Sequence, residues 1–149
     1  MNPKNLLLAG LAGGLVSLAL TNIPAINFVN CLLCAGFWAG PLLAVWVYRR
    51  LQGPVTLGQA VVVGLVAGVW SGAIGLLLSV FGLAGLAGVL NSYRPFLPAD
   101  AIPDLEQTAP GWAVWVFNVI GVGVDLAFGA LGGLLGGALF RAKPAAPAA

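Results

Sequence analysis

The sequence predicts an all-α integral membrane protein with four transmembrane helices, arranged as two hairpins. Three observations carry this. Hydrophobic residues make up 60% of the chain and charged residues 7%, with a mean hydropathy of +1.03. A soluble domain carries about 25% charged residues. Residues 5–48 and 51–93 contain no Asp, Glu, Lys or Arg. The last long apolar segment, 112–140, contains one charged residue, Asp125, near its middle.

Each span follows from length. A helix needs about 20 apolar residues to cross roughly 30 Å of hydrocarbon. The first charge-free run therefore holds two helices, at 5–21 and 27–48, joined by a turn around Pro24. Lys4 followed by the apolar stretch Leu6–Leu20 has the pattern of a secretory leader. It is read here as a retained first transmembrane helix. Pro41 falls inside the second span, where it removes a backbone donor and is expected to kink the helix.

The third span starts at Leu57. A single helix from there to Leu90 would run about 50 Å, too long for one crossing. The span is therefore placed at 57–81, followed by an exoplasmic loop at 82–110. That loop opens with Gly82, Gly85 and Gly88 and goes on through Pro95, Pro98, Pro103 and Pro110. The fourth span is 111–140. Residues 1–140 then form one domain, and the Ala/Pro-rich tail 141–149 reads as disordered and cytoplasmic.

Charge sets the orientation. Lys4, Arg49, Arg50, Arg141 and Lys143 fall on one side of the four-span arrangement, and only Arg94 on the other. Cytoplasmic loops are enriched in Lys and Arg, so both termini are expected in the cytoplasm of a bacterium, the chain lying in its inner membrane. The opposite loop carries Asp100, Asp104 and Glu106. Aromatic residues mark the interfaces: Trp46, Tyr48 and Phe140 inside, Tyr93, Phe96, Trp112 and Trp115 outside.

Glycine, at 22 of 149 residues, is about twice the usual frequency of roughly 7%. It recurs every four residues: Gly10 and Gly14; Gly64, Gly68 and Gly72; Gly121, Gly129, Gly133 and Gly137 around Asp125. Lipid gives helices no hydrophobic reason to associate, so small residues that let backbones touch are the expected packing positions. The rows pack either within the four helices or against a partner subunit. A weak internal repeat suggests that the hairpin was duplicated. A shift of 54 aligns Gly10, Gly14 and Ser17 with Gly64, Gly68 and Ser71, and a shift of 92 aligns Gly40 and Arg49 with Gly132 and Arg141.

Asp125 is the leading candidate for function. A charged group at the centre of a membrane helix costs roughly 2.5–3.5 kcal/mol on insertion scales. Ser17 and Ser71 lie at similar depth in spans 1 and 3, and no Lys or Arg does. Three roles are open: a carboxyl hydrogen-bonded to a Ser hydroxyl, the Trp70 indole or a backbone carbonyl; proton or cation handling; or contact with a cation or pigment on a partner. Cys31 and Cys34 form a CxxC that reads as apolar filler, with a redox pair as the alternative. Two thiols without His complete no structural zinc site, and Ala35 rules out the haem-attachment pattern.

No catalytic triad, phosphate loop or metal cluster is legible, so no enzyme activity and no cofactor are expected. Bound lipid or pigment stays open. The net charge of +2 is placed by topology and gives no reason for nucleic-acid binding. Partners are the lipid bilayer and other membrane subunits or further copies of the chain. The sequence is read as a non-catalytic accessory or scaffold subunit of a larger membrane complex, of respiratory or photosynthetic type. A small oligomeric channel or transporter using Asp125 is the alternative. Two glycine-rich hairpins with an acid only in the fourth span also resemble the duplicated proteolipid of rotary ATPases, in which Asp125 would match the ion-binding carboxylate. The glycines of this chain are spaced by four where that family spaces them by two, and the expected cytoplasmic termini are opposite to that family.

Overall fold

The computed structural model describes residues 1–22, 35–81 and 111–140, which form four helices. These are α1 (Pro3–Asn22), α2 (Ala35–Gln52), α3 (Leu57–Val80) and α4 (Gly111–Phe140). Among the described residues, three helical segments are long and apolar enough to cross a membrane: Pro3–Thr21, Leu57–Val80 and Trp115–Phe140. The chain is thus a multi-pass, all-helical membrane protein in its described parts. Pro24, Cys31, Cys34, the segment 82–110 and the tail 141–149 lie outside the described residues.

Local chemistry sets the described helix ends. Asn2 caps α1: its side-chain Oδ1 accepts from the Lys4 amide at 3.0 Å, and Pro3 sits at the first helical position, where no donor is missed. The expected second span ends at Tyr48, yet α2 continues to Gln52. Two arginines mark a polar boundary but are good helix formers, so they do not stop a helix. Gly53 does. Its φ of +87° suits glycine alone, and its amide donates to the Arg49 carbonyl at 2.8 Å. Thr56 then starts α3 with a capping box. The Gln59 amide donates to Thr56 Oγ1 at 3.3 Å, and the Thr56 amide donates to Gln59 Oε1 at 3.0 Å. The turn between α2 and α3 is therefore closed from both sides within four residues.

The helices pack as a square in the order α1, α2, α4, α3, with α2 and α3 also touching across one diagonal. Sequence neighbours run antiparallel: Gly13 of α1 meets Gly40 and Ala44 of α2, and Gly64 of α3 meets Gly129 and Gly133 of α4. α1 and α3 run parallel, as do α2 and α4. The expected duplicates thus stand side by side. One end of the bundle gathers Lys4, the α2 carboxyl end with Arg49 and Arg50, the start of α3, and Phe140.

The two corner helices opposite each other, α1 and α4, carry glycine doublets. Consecutive residues on a helix point about 100° apart, so each doublet can serve two neighbours. Gly13 faces α2, where a Cβ would lie 2.5 Å from the Gly40 carbonyl oxygen; Gly14 faces α3, where a Cβ would lie 2.8 Å from the Trp70 Cβ. On α4, Gly133 would meet the Ala60 carbonyl of α3 at 2.6 Å, while Gly132 would meet Pro41 of α2 at 2.8 Å. Gly137 and Gly136 repeat this one turn later, against Ala60 and Val45. The core is accordingly made of small residues, and its largest fully buried side chains are Tyr48, Val45, Val63 and Pro41. Tyr48, placed by sequence at the inner interface, is 2% exposed and packs inside. Phe37 and Phe128 stack between α2 and α4 with ring centroids 5.3 Å apart.

Candidate intramembrane polar site

Asp125 stands halfway along α4, on the side turned to α3. Its side chain is half-buried and hydrogen-bonds with the Ser71 hydroxyl of α3. Ser71 itself is 4% exposed. The backbones meet at the same level: a Cβ on Gly68 would lie 2.5 Å from the Asp125 carbonyl oxygen. Glycine at 68 thus lets α4 come close enough for the carboxyl to reach a hydroxyl one turn further along α3. Below the pair the helices touch through Gly64, Gly129 and Gly133; above it Gly72 meets Val122, whose Cγ1 would be 3.2 Å from an added Cβ.

The other polar candidate, Ser17, lies elsewhere. It is 3% exposed and sits in the seam between α1 and α2, against Gly40. The next turn of α1 is tied down by Thr21, whose hydroxyl donates to the Ser17 and Leu18 carbonyls at 3.0 and 3.1 Å. Ser17 and Asp125 therefore belong to different hairpins, and Asp125 and Ser71 form the site. Trp70 is turned to α1, over Gly10 and Gly14. The described basic residues, Lys4, Arg49 and Arg50, all lie at the far end of the bundle from mid-α4. Among the described residues every buried side-chain polar atom has a hydrogen-bond partner.

Of the glycines singled out by sequence, Gly10, Gly14, Gly64, Gly68, Gly72, Gly129, Gly133 and Gly137 face another helix of the same chain. Gly121 has nothing within 4 Å, and neither does Gly123 one turn before Leu126. The row on α4 thus changes character at Asp125: packed toward the carboxyl end, open toward the amino end. On that open half Trp112, Trp115, Phe117, Val119 and Ile120 are more than half exposed. Sequence reasoning passed over Gly13, Gly132 and Gly136 as packing positions. The doublets at 13–14, 132–133 and 136–137 were the available signal.

Searches of protein-family models, curated proteins and solved structures give no match to this chain.

Proposed function

We propose that the chain is a four-span protein of the bacterial inner membrane, with both termini cytoplasmic. It serves as a non-catalytic accessory or scaffold subunit of a larger membrane complex, of respiratory or photosynthetic type. The observation that carries this is the Ser71–Asp125 hydrogen bond inside a glycine seam. The carboxyl is held by its own bundle, at a point where both helix backbones are in contact, which suits a pin between α3 and α4. An intramembrane acid satisfied this way fixes helix register, since a slip along the seam would leave both groups unpaired in hydrocarbon. The open, aromatic half of α4 is where a neighbouring subunit would pack. Purification of the tagged chain in mild detergent tests the reading. Unlike membrane subunits should co-purify in fixed ratio; recovery as the chain alone or as copies of itself would count against it.

A second reading, a small oligomeric channel or transporter, draws support from one feature. Asp125 is half-buried and not sealed, and Gly121 and Gly123, one turn or less before it, have nothing within 4 Å, which gives the carboxyl an approach for a proton or cation. The side-by-side hairpins, α1 beside α3 and α2 beside α4, are also the spacing that a ring of hairpins would repeat. A rotary proteolipid-like subunit is the remote form of this reading.

A further inference from the structure

At the basic end of the bundle a cavity of about 400 Å³ opens between the carboxyl ends of α2 and α4, lined by Trp46, Arg49, Arg50 and Phe140. Arg50 is stacked on Trp46, with its guanidinium carbon 5.2 Å from the ring centroid. A cation held over an indole face keeps its N–H groups in the guanidinium plane, pointing away from the ring and available to an acceptor. Arg49, the adjacent residue, lines the same space. The lining thus combines two permanent positive charges with two aromatic rings. The one carboxylate among the described residues is Asp125, half a helix away, so none of them neutralises these arginines.

We infer that this cavity holds the phosphate of an anionic membrane phospholipid. Arginine forks match phosphate oxygens in paired hydrogen bonds. Basic pockets between transmembrane helices are suited to acidic lipid headgroups. Trp46 is 40% exposed at the rim, and Phe140 closes the other side, so the glycerol and first acyl carbons would lie against aromatic surface. The bland alternative is that the arginines only offset the negative carboxyl ends of two helices. A free phosphate offers the same chemistry without the apolar tail. The site is separate from the Asp125–Ser71 seam and independent of whether the chain is an accessory subunit or a transporter.

Native mass spectrometry of the full chain separates these cases, with phosphatidylglycerol, phosphatidylcholine or inorganic phosphate as the added probe. Wild type should retain one phosphatidylglycerol at least about tenfold more tightly than phosphatidylcholine, as two arginines near an anionic headgroup would give. Arg49→Gln with Arg50→Gln should abolish that preference. Arg49→Lys with Arg50→Lys should keep part of it, and Lys4→Gln, at the same end but outside the cavity, should keep all of it. Equal retention of the two lipids by wild type overturns the inference, whatever the double glutamine variant does. So does a glutamine variant that loses thermal stability but keeps lipid preference, which would mark a helix-end role. Displacement of the lipid by millimolar inorganic phosphate would reassign the cavity to a soluble anion.

Discussion

Gly64 of α3 and Gly129 of α4 lie backbone against backbone: a Cβ on Gly129 would come within 2.7 Å of the Gly64 carbonyl oxygen, and one on Gly64 would strike the Gly129 carbonyl in return. Neither helix can accept a side chain here without moving away. The same contact continues through Gly133 and Ala60 on one side and through Gly68 and Asp125 on the other. This seam places the carboxyl within reach of Ser71. Loss of the glycines would therefore separate the polar pair even with both residues intact.

The first expected outcome follows from the contrast along α4. Gly133→Leu or Gly68→Leu should destabilise the bundle by about 1–3 kcal/mol or more, the range for overpacking a filled interior. Gly121→Leu, with nothing within 4 Å, should leave the isolated chain unchanged. Thermal unfolding in detergent compares the three. If Gly121→Leu instead weakens recovery of a larger complex on native gels, the open half of α4 is a subunit interface.

The turn between α2 and α3 gives the second. Thr56→Ala removes one half of the capping box and should cost about 1 kcal/mol. Gly53→Ala forces a side chain into a left-handed backbone and should cost a similar amount. Unfolding midpoints of the two single variants and the double variant check this. Both lie outside the seam, so neither should alter what co-purifies with the chain.

What could be read from the sequence divides along physical lines. The helical, multi-pass membrane character was legible because hydrophobicity and charge spacing are properties of the chain itself. The Asp125–Ser71 pair was only half legible. Depth put Ser17 and Ser71 on equal terms, and only the packing order of the helices selects Ser71. The doublets Gly13–Gly14 and Gly132–Gly133 were visible, but only Gly14 and Gly133 were read, each as part of a single row, and Gly13 and Gly132 were passed over as packing positions. A repeat of four reports one face, whereas two adjacent glycines report a corner between two neighbours. The Trp46–Arg50 stack was missed for a related reason. Both residues were sorted by membrane depth, and the space between α2 and α4 that they line has no sequence signature. The buried Tyr48 makes the same point, since position near a membrane boundary does not say which way a ring faces.

Orientation supplies the third. Reporters fused after Arg50 and at the carboxyl terminus should read cytoplasmic, and one inserted within 100–106 should read exoplasmic. The five-to-one basic bias motivates this. Moving the bias, by Arg49→Glu with Arg50→Glu, should reduce the fraction of correctly oriented chains. An exoplasmic carboxyl terminus in the native sequence would overturn the four-span arrangement.

The role of Asp125 decides the rest. As a pin, it needs a hydrogen bond and not a charge. Asp125→Asn keeps size and polarity and should be tolerated. Asp125→Leu leaves the Ser71 hydroxyl unpaired in the seam and should cost about 1–3 kcal/mol. Ser71→Ala should give a loss of the same size, and the double variant Ser71→Ala with Asp125→Leu should lose less than the sum of the two. The most direct measurement is proton flux in proteoliposomes containing wild type or Asp125→Asn, with assembly yield followed in parallel. The pin account expects no flux above empty liposomes from either protein and equal assembly yield. Flux through wild type that disappears in Asp125→Asn, at unchanged yield, would contradict it and make the carboxyl a proton-carrying group.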